Sequence, residues 1–300
     1  MTGFLRHGRI LGGVVTTPDL EDALADYNGC LGLTIVERGT LSDELARSWG
    51  SPASAGARFA TLQPTSGAHC FIRLVEQPVP QDFRPTRTFG WNAYEITSQD
   101  VFGWPQRLAG SGFDIVGEPK EIPGLPYFVA MQFVGRGREM LYLNEVRMNT
   151  PSSDLPKAAS PVDHIFIVIL GTPDRAASMA WYQEVLGLEE GGSYSIPYSM
   201  INNAFGLAPD TLTTISMVQK DRMPIVEVDD YPAAAIPRLR DDGLLPAGNA
   251  LVTLAVDSLD RPGLNFIADP VVRDGPLYGG RRAATLIGSA GELLELVEIG

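Results

Sequence analysis

Glu295 lies in the run Ala290-Gly291-Glu292-Leu293-Leu294-Glu295-Leu296-Val297-Glu298, which reads as a strand with Leu293 and Val297 beside it on one face. A carboxylate on an apolar strand face is costly unless it is paired or bound to a metal. Arg281 and Arg282, in the turn Tyr278-Gly279-Gly280-Arg281-Arg282, are available to pair with it. The same turn could instead orient a substrate carboxylate, because arginine makes bidentate pairs well, or be no more than an exposed solubilising turn. Glu227 repeats the theme in Pro224-Ile225-Val226-Glu227-Val228, where the following Asp229 and Asp230 make a solvated strand end the competing reading. His164 opens a strand in which Phe166 and Val168 share its face. Imidazole and carboxylate groups can move protons or bind divalent metals. Phe205, with Asn202 and Asn203, falls on a helical excursion that could cover such groups or simply pack on a sheet.

The elements that position these residues come from a duplication. Thr17-Pro18-Asp19, Tyr27 and Leu31-Gly32-Leu33 recur as Thr172-Pro173-Asp174, Tyr182 and Leu186-Gly187-Leu188, each at an offset of 155. Thr17 is placed to cap a helix with Pro18 at its first position, and Gly32 to end it. Leu20, Ala23, Leu24, Tyr27 and Leu31 form one helical face. Strands before and after complete a β-α-β-β-β unit, repeated from His164 onward. Weaker copies begin at Gly90 and Ala250, and in the last one Asp260-Arg261-Pro262-Gly263 breaks the expected helix. The polar, proline-containing stretch 149–160 reads as a linker between halves 6–148 and 161–300.

Composition narrows the function classes. A net charge of −13 opposes binding to a phosphate backbone, so no nucleic-acid partner is expected. No apolar run is long enough for a membrane span. Residues Met1 to His7 carry no signal-peptide hydrophobic stretch, and the expectation is a cytoplasmic protein acting on a small molecule, with a homodimer left open. The two cysteines, Cys30 and Cys70, read as free thiols rather than a disulfide scaffold.

Four β-α-β-β-β modules with a Tyr-x3-Leu-Gly-Leu helix ending resemble the vicinal oxygen chelate superfamily of glyoxalases, bleomycin resistance proteins and type I extradiol dioxygenases. The resemblance implies an α+β fold of two tandem domains with cupped mixed sheets. It also implies divalent-metal ligands at the start of each module's first strand and within each last strand. In the second half these positions fall on His164, Glu227, Leu251 and Glu295; in the first, on Arg9 or Gly12, Arg73, Trp91 and Tyr142. The expectation is therefore a metal-free first domain and a single site in the second. There His164, Glu227 and Glu295 would hold Zn, Fe, Mn, Co or Ni, with Glu227 and Glu295 as catalytic groups. Tyr278, Arg281, Arg282 and Phe205 would contact the substrate of a lyase or isomerase acting on a small, fairly apolar oxygenated compound. A metal-free binding or sequestering protein is the alternative. An atypical dioxygenase is a second one, disfavoured because only His7, His69 and His164 are present.

Overall fold

The computed structural model describes residues 5–122, 125–150, 153–238 and 243–300. Residues 1–4, where no leader was expected, and 151–152 of the linker lie outside them. Module one comprises β1 (Ile10–Thr17), α1 (Leu20–Leu24), β2 (Thr34–Thr40), α2 (Asp43–Ser48), β3 (Arg58–Gln63) and β4 (Phe71–Glu76). Module two comprises β5 (Gly90–Ser98), α3 (Trp104–Leu108), β6 (Asp114–Ile122), β7 (Leu125–Val134) and β8 (Met140–Val146). Module three comprises β9 (Val162–Thr172), α4 (Arg175–Leu186), β10 (Glu189–Pro197), α5 (Ser199–Phe205), β11 (Leu212–Lys220) and β12 (Met223–Asp230). Module four has β13 (Asn249–Val256), β14 (Val271–Arg273), β15 (Arg281–Ile287) and β16 (Leu293–Glu298), with no helix described between its first two strands, as Pro262-Gly263 predicts.

The cap of α1 is Asp19 rather than Thr17. Thr17 completes β1, and the Asp19 carboxylate accepts from the Asp22 N–H at 2.9 Å, as Asp174 does from Ala177 in α4. Beyond α1 the turns widen, with the Leu31 N–H reaching the Asp26 carbonyl at 2.9 Å, before Gly32 reverses the chain at φ 73°.

Two eight-stranded sheets result, ordered β14-β15-β16-β13-β1-β4-β3-β2 and β10-β11-β12-β9-β5-β8-β7-β6. Modules one and four thus form the first sheet, and modules two and three the second. This differs from a division at the linker, in which each half would build its own cup. β1 pairs antiparallel with β13, Gly13 opposite Val252, and β5 with β9, Tyr94 opposite Val168.

The packing between sheets explains the pairing. Tyr94 of β5 lies across Gly13 of β1, where a Cβ would come within 2.5 Å of its ring. Its hydroxyl reaches the carbonyls of Val14 (2.8 Å) and Leu251 (2.9 Å). A strand whose tyrosine covers β1 from above cannot also lie beside β1 in the same sheet. Trp91 of β5 likewise donates to the Leu293 carbonyl of β16 at 2.7 Å. The main core, including Leu74, Tyr94, Val168, Leu254 and Tyr182, fills the space between the sheets, leaving the opposite faces as two cups.

Candidate functional site

In the first cup, β16 presents Glu295, as the lone carboxylate on that strand face predicts. Its side chain is buried and fully engaged. Trp49 Nε1 donates to it at 2.9 Å, Thr253 Oγ1 at 2.9 Å and the Tyr278 hydroxyl at 3.1 Å. Trp49 comes from the turn after α2, so the module-one excursion seals this cup. Arg73 of β4, at the matching last-strand position, is buried between the rings of Trp49, Phe59 and Tyr278, at 5.8, 4.9 and 5.6 Å from their centroids. Its guanidinium bonds Thr61 (3.0 Å), Glu37 (3.1 Å) and the Tyr278 hydroxyl (3.4 Å). A fixed organic cation and neutral donors therefore surround Glu295. Such a donor set does not suit a divalent metal, which needs several anionic or imidazole ligands.

The sequence-derived residues around this cup make internal bonds instead. Tyr278 is buried against Glu295, and Arg281 Nη1 bonds the Tyr278 carbonyl at 3.0 Å. Arg282 pairs with Asp260 at 3.0 Å and Glu298 at 3.2 Å. Neither arginine is the partner of Glu295, because the turn carries both away from it.

His164 lies in the second sheet with Glu227, while Glu295 lies in the first, so the expected three-ligand metal site does not assemble. Glu227 pairs in register with Ile169. His164 is five residues back along β9, or about 16 Å at strand rise. Among the described residues no three His, Cys, Asp or Glu side chains are grouped to hold a metal ion. His164 Nδ1 meets Asp163 Oδ1 at 3.2 Å, and Asp163 also accepts from Ser66 of module one at 2.7 Å and from the Ala159 N–H. Burial raises the Asp163 carboxyl, but the hydrogen bonds from His164 and Ser66 outweigh it and hold the group below its ordinary range. This corner joins the sheets.

The second cup gathers three carboxyls: Glu95 of β5, and Glu227 and Asp229 two apart on one face of β12, all buried. The Tyr198 hydroxyl, just before α5, donates to Glu227 Oε1 at 3.1 Å and lies 3.3 Å from the Tyr142 hydroxyl. Asn144 Nδ2 donates to Glu95 at 2.7 Å. Asp229 faces Glu227 closely enough for the two carboxyls to share a proton, and no other described residue donates to either of its oxygens. Burial pushes the Glu227 carboxyl up to about 7, with the Tyr198 bond pulling the other way. Burial and then the charge of Glu227 raise Glu95 well above the ordinary range; Asp229 is raised by burial, Glu227 and Glu95. Phe205, at the end of α5, packs edge-on against Tyr231 with centroids 6.0 Å apart, over this cup.

Glu95, Asp229, Asn144 and Tyr198 were not singled out from sequence. The argument that flags Glu295 applies in weaker form to Glu95, a carboxylate between Ala93 and Thr97 on its strand face. Asp229 was hidden by its resemblance to a solvated strand end.

No family model and no curated protein sequence matches the chain. Solved structures do. Glyoxalase I from Zea mays superposes with a TM-score of 0.62 at 18% identity, over 97% of this chain and 92% of that one. A point mutant of the maize enzyme gives 0.64 at 17%, with the same coverage. A candidate dioxygenase from Bacillus subtilis subsp. subtilis str. 168 gives 0.62 at 12%, over 96% and 84%. The likeness extends across all four modules and shows the shared fold.

Proposed function

We propose that this chain, which has the vicinal oxygen chelate fold, binds a small oxygenated molecule in the cup of modules two and three and moves a proton on it through Glu227. The observation that carries this reading is a buried carboxyl held near neutrality and oriented by Tyr198. A general base works best when its pKa lies near the working pH, and a buried group exchanges protons without competition from bulk water. The chemistry that follows is isomerisation or elimination. The Glu227 carboxylate takes a proton from carbon next to a carbonyl, and the neutral Tyr142 hydroxyl rotates its proton away from Tyr198 to donate to the developing oxyanion. Glu295, by contrast, is assigned here to structure.

The test is hydrogen exchange in D2O, followed by NMR, with acetoin and 2-hydroxyacetophenone as probes. The expected result is protein-dependent deuteration beside the carbonyl that falls at least about 100-fold in Glu227→Gln. Deuteration unchanged by that substitution, or absent from the wild type, rejects the reading.

A further inference from the structure

The second cup has unsatisfied hydrogen-bonding capacity of a single kind. Among the described residues, Asp229 Oδ1 and Oδ2 meet no donor apart from a proton shared with Glu227, Asn144 Oδ1 is buried without a partner, and all three are acceptors. Asp229 is fully buried, and Asn144 is likewise inaccessible with its other end committed to Glu95. Buried polar atoms are normally paired, so a set of orphaned acceptors calls for a donor from outside the chain.

The surroundings of Asp229 restrict that donor further. Tyr142, Tyr198 and Tyr231 are close enough for the Asp229 charge to raise each hydroxyl, though burial is the larger cause for all three. Tyr198 packs with both Tyr142 and Tyr231, and Phe205 closes on Tyr231. The nearest tyrosine hydroxyls are engaged elsewhere, Tyr198 with Glu227 and Tyr142 with Tyr198. An acidic group whose only donor is the proton it shares with Glu227, with the Tyr231 ring lying over its cross-strand neighbour Gly171, matches the needs of a positively charged nitrogen. Carboxylate supplies the counter-charge and ring faces supply cation–π attraction. The net charge of −13 favours approach of a cation.

We infer that the second cup takes a small organic ammonium ion beside Asp229, within the ring of Tyr142, Tyr198 and Tyr231, and that this ammonium belongs to the substrate on which Glu227 acts. The substrate clause rests on the proton-transfer reading above; the cation site does not. Burial and the neighbouring acids keep Glu95 and Asp229 protonated in the empty cup, and a bound ammonium supplies the counter-charge that lets Asp229 ionise.

Isothermal titration calorimetry with benzylamine and its neutral isostere benzyl alcohol tests the inference, in about 0.3 M NaCl so that surface attraction is screened. Benzylamine should bind one-to-one and at least about tenfold more tightly than the alcohol, and Asp229→Asn should abolish the difference. Equal affinity for the two compounds, or an amine preference that survives Asp229→Asn, overturns it. Should that variant fail to fold, the wild-type comparison still decides. Amine preference without Glu227-dependent deuteration rejects the proton-transfer reading and leaves the cation site standing. Deuteration without amine preference does the reverse.

Discussion

Arg73 and Glu295 stand at matching positions in the last strands of modules one and four, and together they close the first cup. Both are buried, with Tyr278 bonded to each. Glu37, the direct ion-pair partner of Arg73, is about a quarter exposed and can be resolvated; Glu295 cannot. Removing the guanidinium leaves a buried carboxylate with neutral donors only. Arg73→Met is therefore expected to cost about 3–5 kcal/mol in urea unfolding, and adding Glu295→Gln should recover at least about 1 kcal/mol of that. A loss below about 1 kcal/mol, or no recovery in the pair, would show that Arg73 does not balance Glu295. The strand-face argument correctly marks Glu295 as a residue that must be compensated. It could not identify the compensation, because Trp49 lies 246 residues away and reaches Glu295 only once module one has joined module four. Glu227 was legible in the same way. Its partner Tyr198 sits on an excursion whose sequence shows a helix but not the direction of a hydroxyl.

At the level of elements, the duplication extends to a contact that the matching motifs only half reveal. Tyr27, following α1, donates to Glu139 in the β7–β8 turn at 2.7 Å, and Tyr182 of α4 donates to Glu292 in the β15–β16 turn, also at 2.7 Å. Each bond runs from one sheet to the other, so the repeated tyrosine is a tie between sheets. The turns wrap the carboxyls so closely that a Cβ at Gly135 or Gly288 would collide with them. Tyr27→Phe and Tyr182→Phe should each destabilise by about 1–3 kcal/mol, since each strips a buried carboxyl of its hydroxyl donor. The ties are separate, and the double variant should lose the sum of the two. A loss confined to one tyrosine would mean that one tie is not bearing on the fold. Helices, strands and repeat boundaries were readable because periodicity and caps are local. Module pairing was not, because all four first strands are buried along their whole length and nothing local marks which two pair. The choice depends on shape, Tyr94 over Gly13, between segments distant in the chain.

For the molecule as a whole, these buried acids set an unusual dependence on pH. Burial raises Glu139 and Glu292 to about 7, with the tyrosine bonds and nearby backbone N–H groups opposing it. Glu227 is raised to about 7, and Glu95 and Asp229 are raised well above their ordinary range. A carboxyl whose pKa rises on folding stabilises the native state fully below its unfolded value, 4.5 for glutamate, and loses that contribution as pH climbs through the folded value near 7. Asp163 acts in the opposite sense, its contribution being present above its ordinary 3.8 and lost as pH falls below it. Glu76, Glu189 and Asp260 are lowered as well by exposed arginine or lysine partners, whose effect solvent screens, so the five buried acids working toward neutrality dominate. The urea midpoint should therefore be highest near about pH 5 and decline toward about pH 8. Each tenfold difference in proton affinity is about 1.4 kcal/mol, so Glu139 and Glu292 alone account for several kcal/mol of the decline. The Glu139→Gln, Glu292→Gln double variant, which keeps an acceptor for each tyrosine but cannot ionise, should show a flatter profile that crosses the wild-type curve as pH rises. A wild-type midpoint that increases from about pH 5 to about pH 8 would mean that these carboxyls are ionised at little cost, and that the cup and the two ties are wetter than their burial implies.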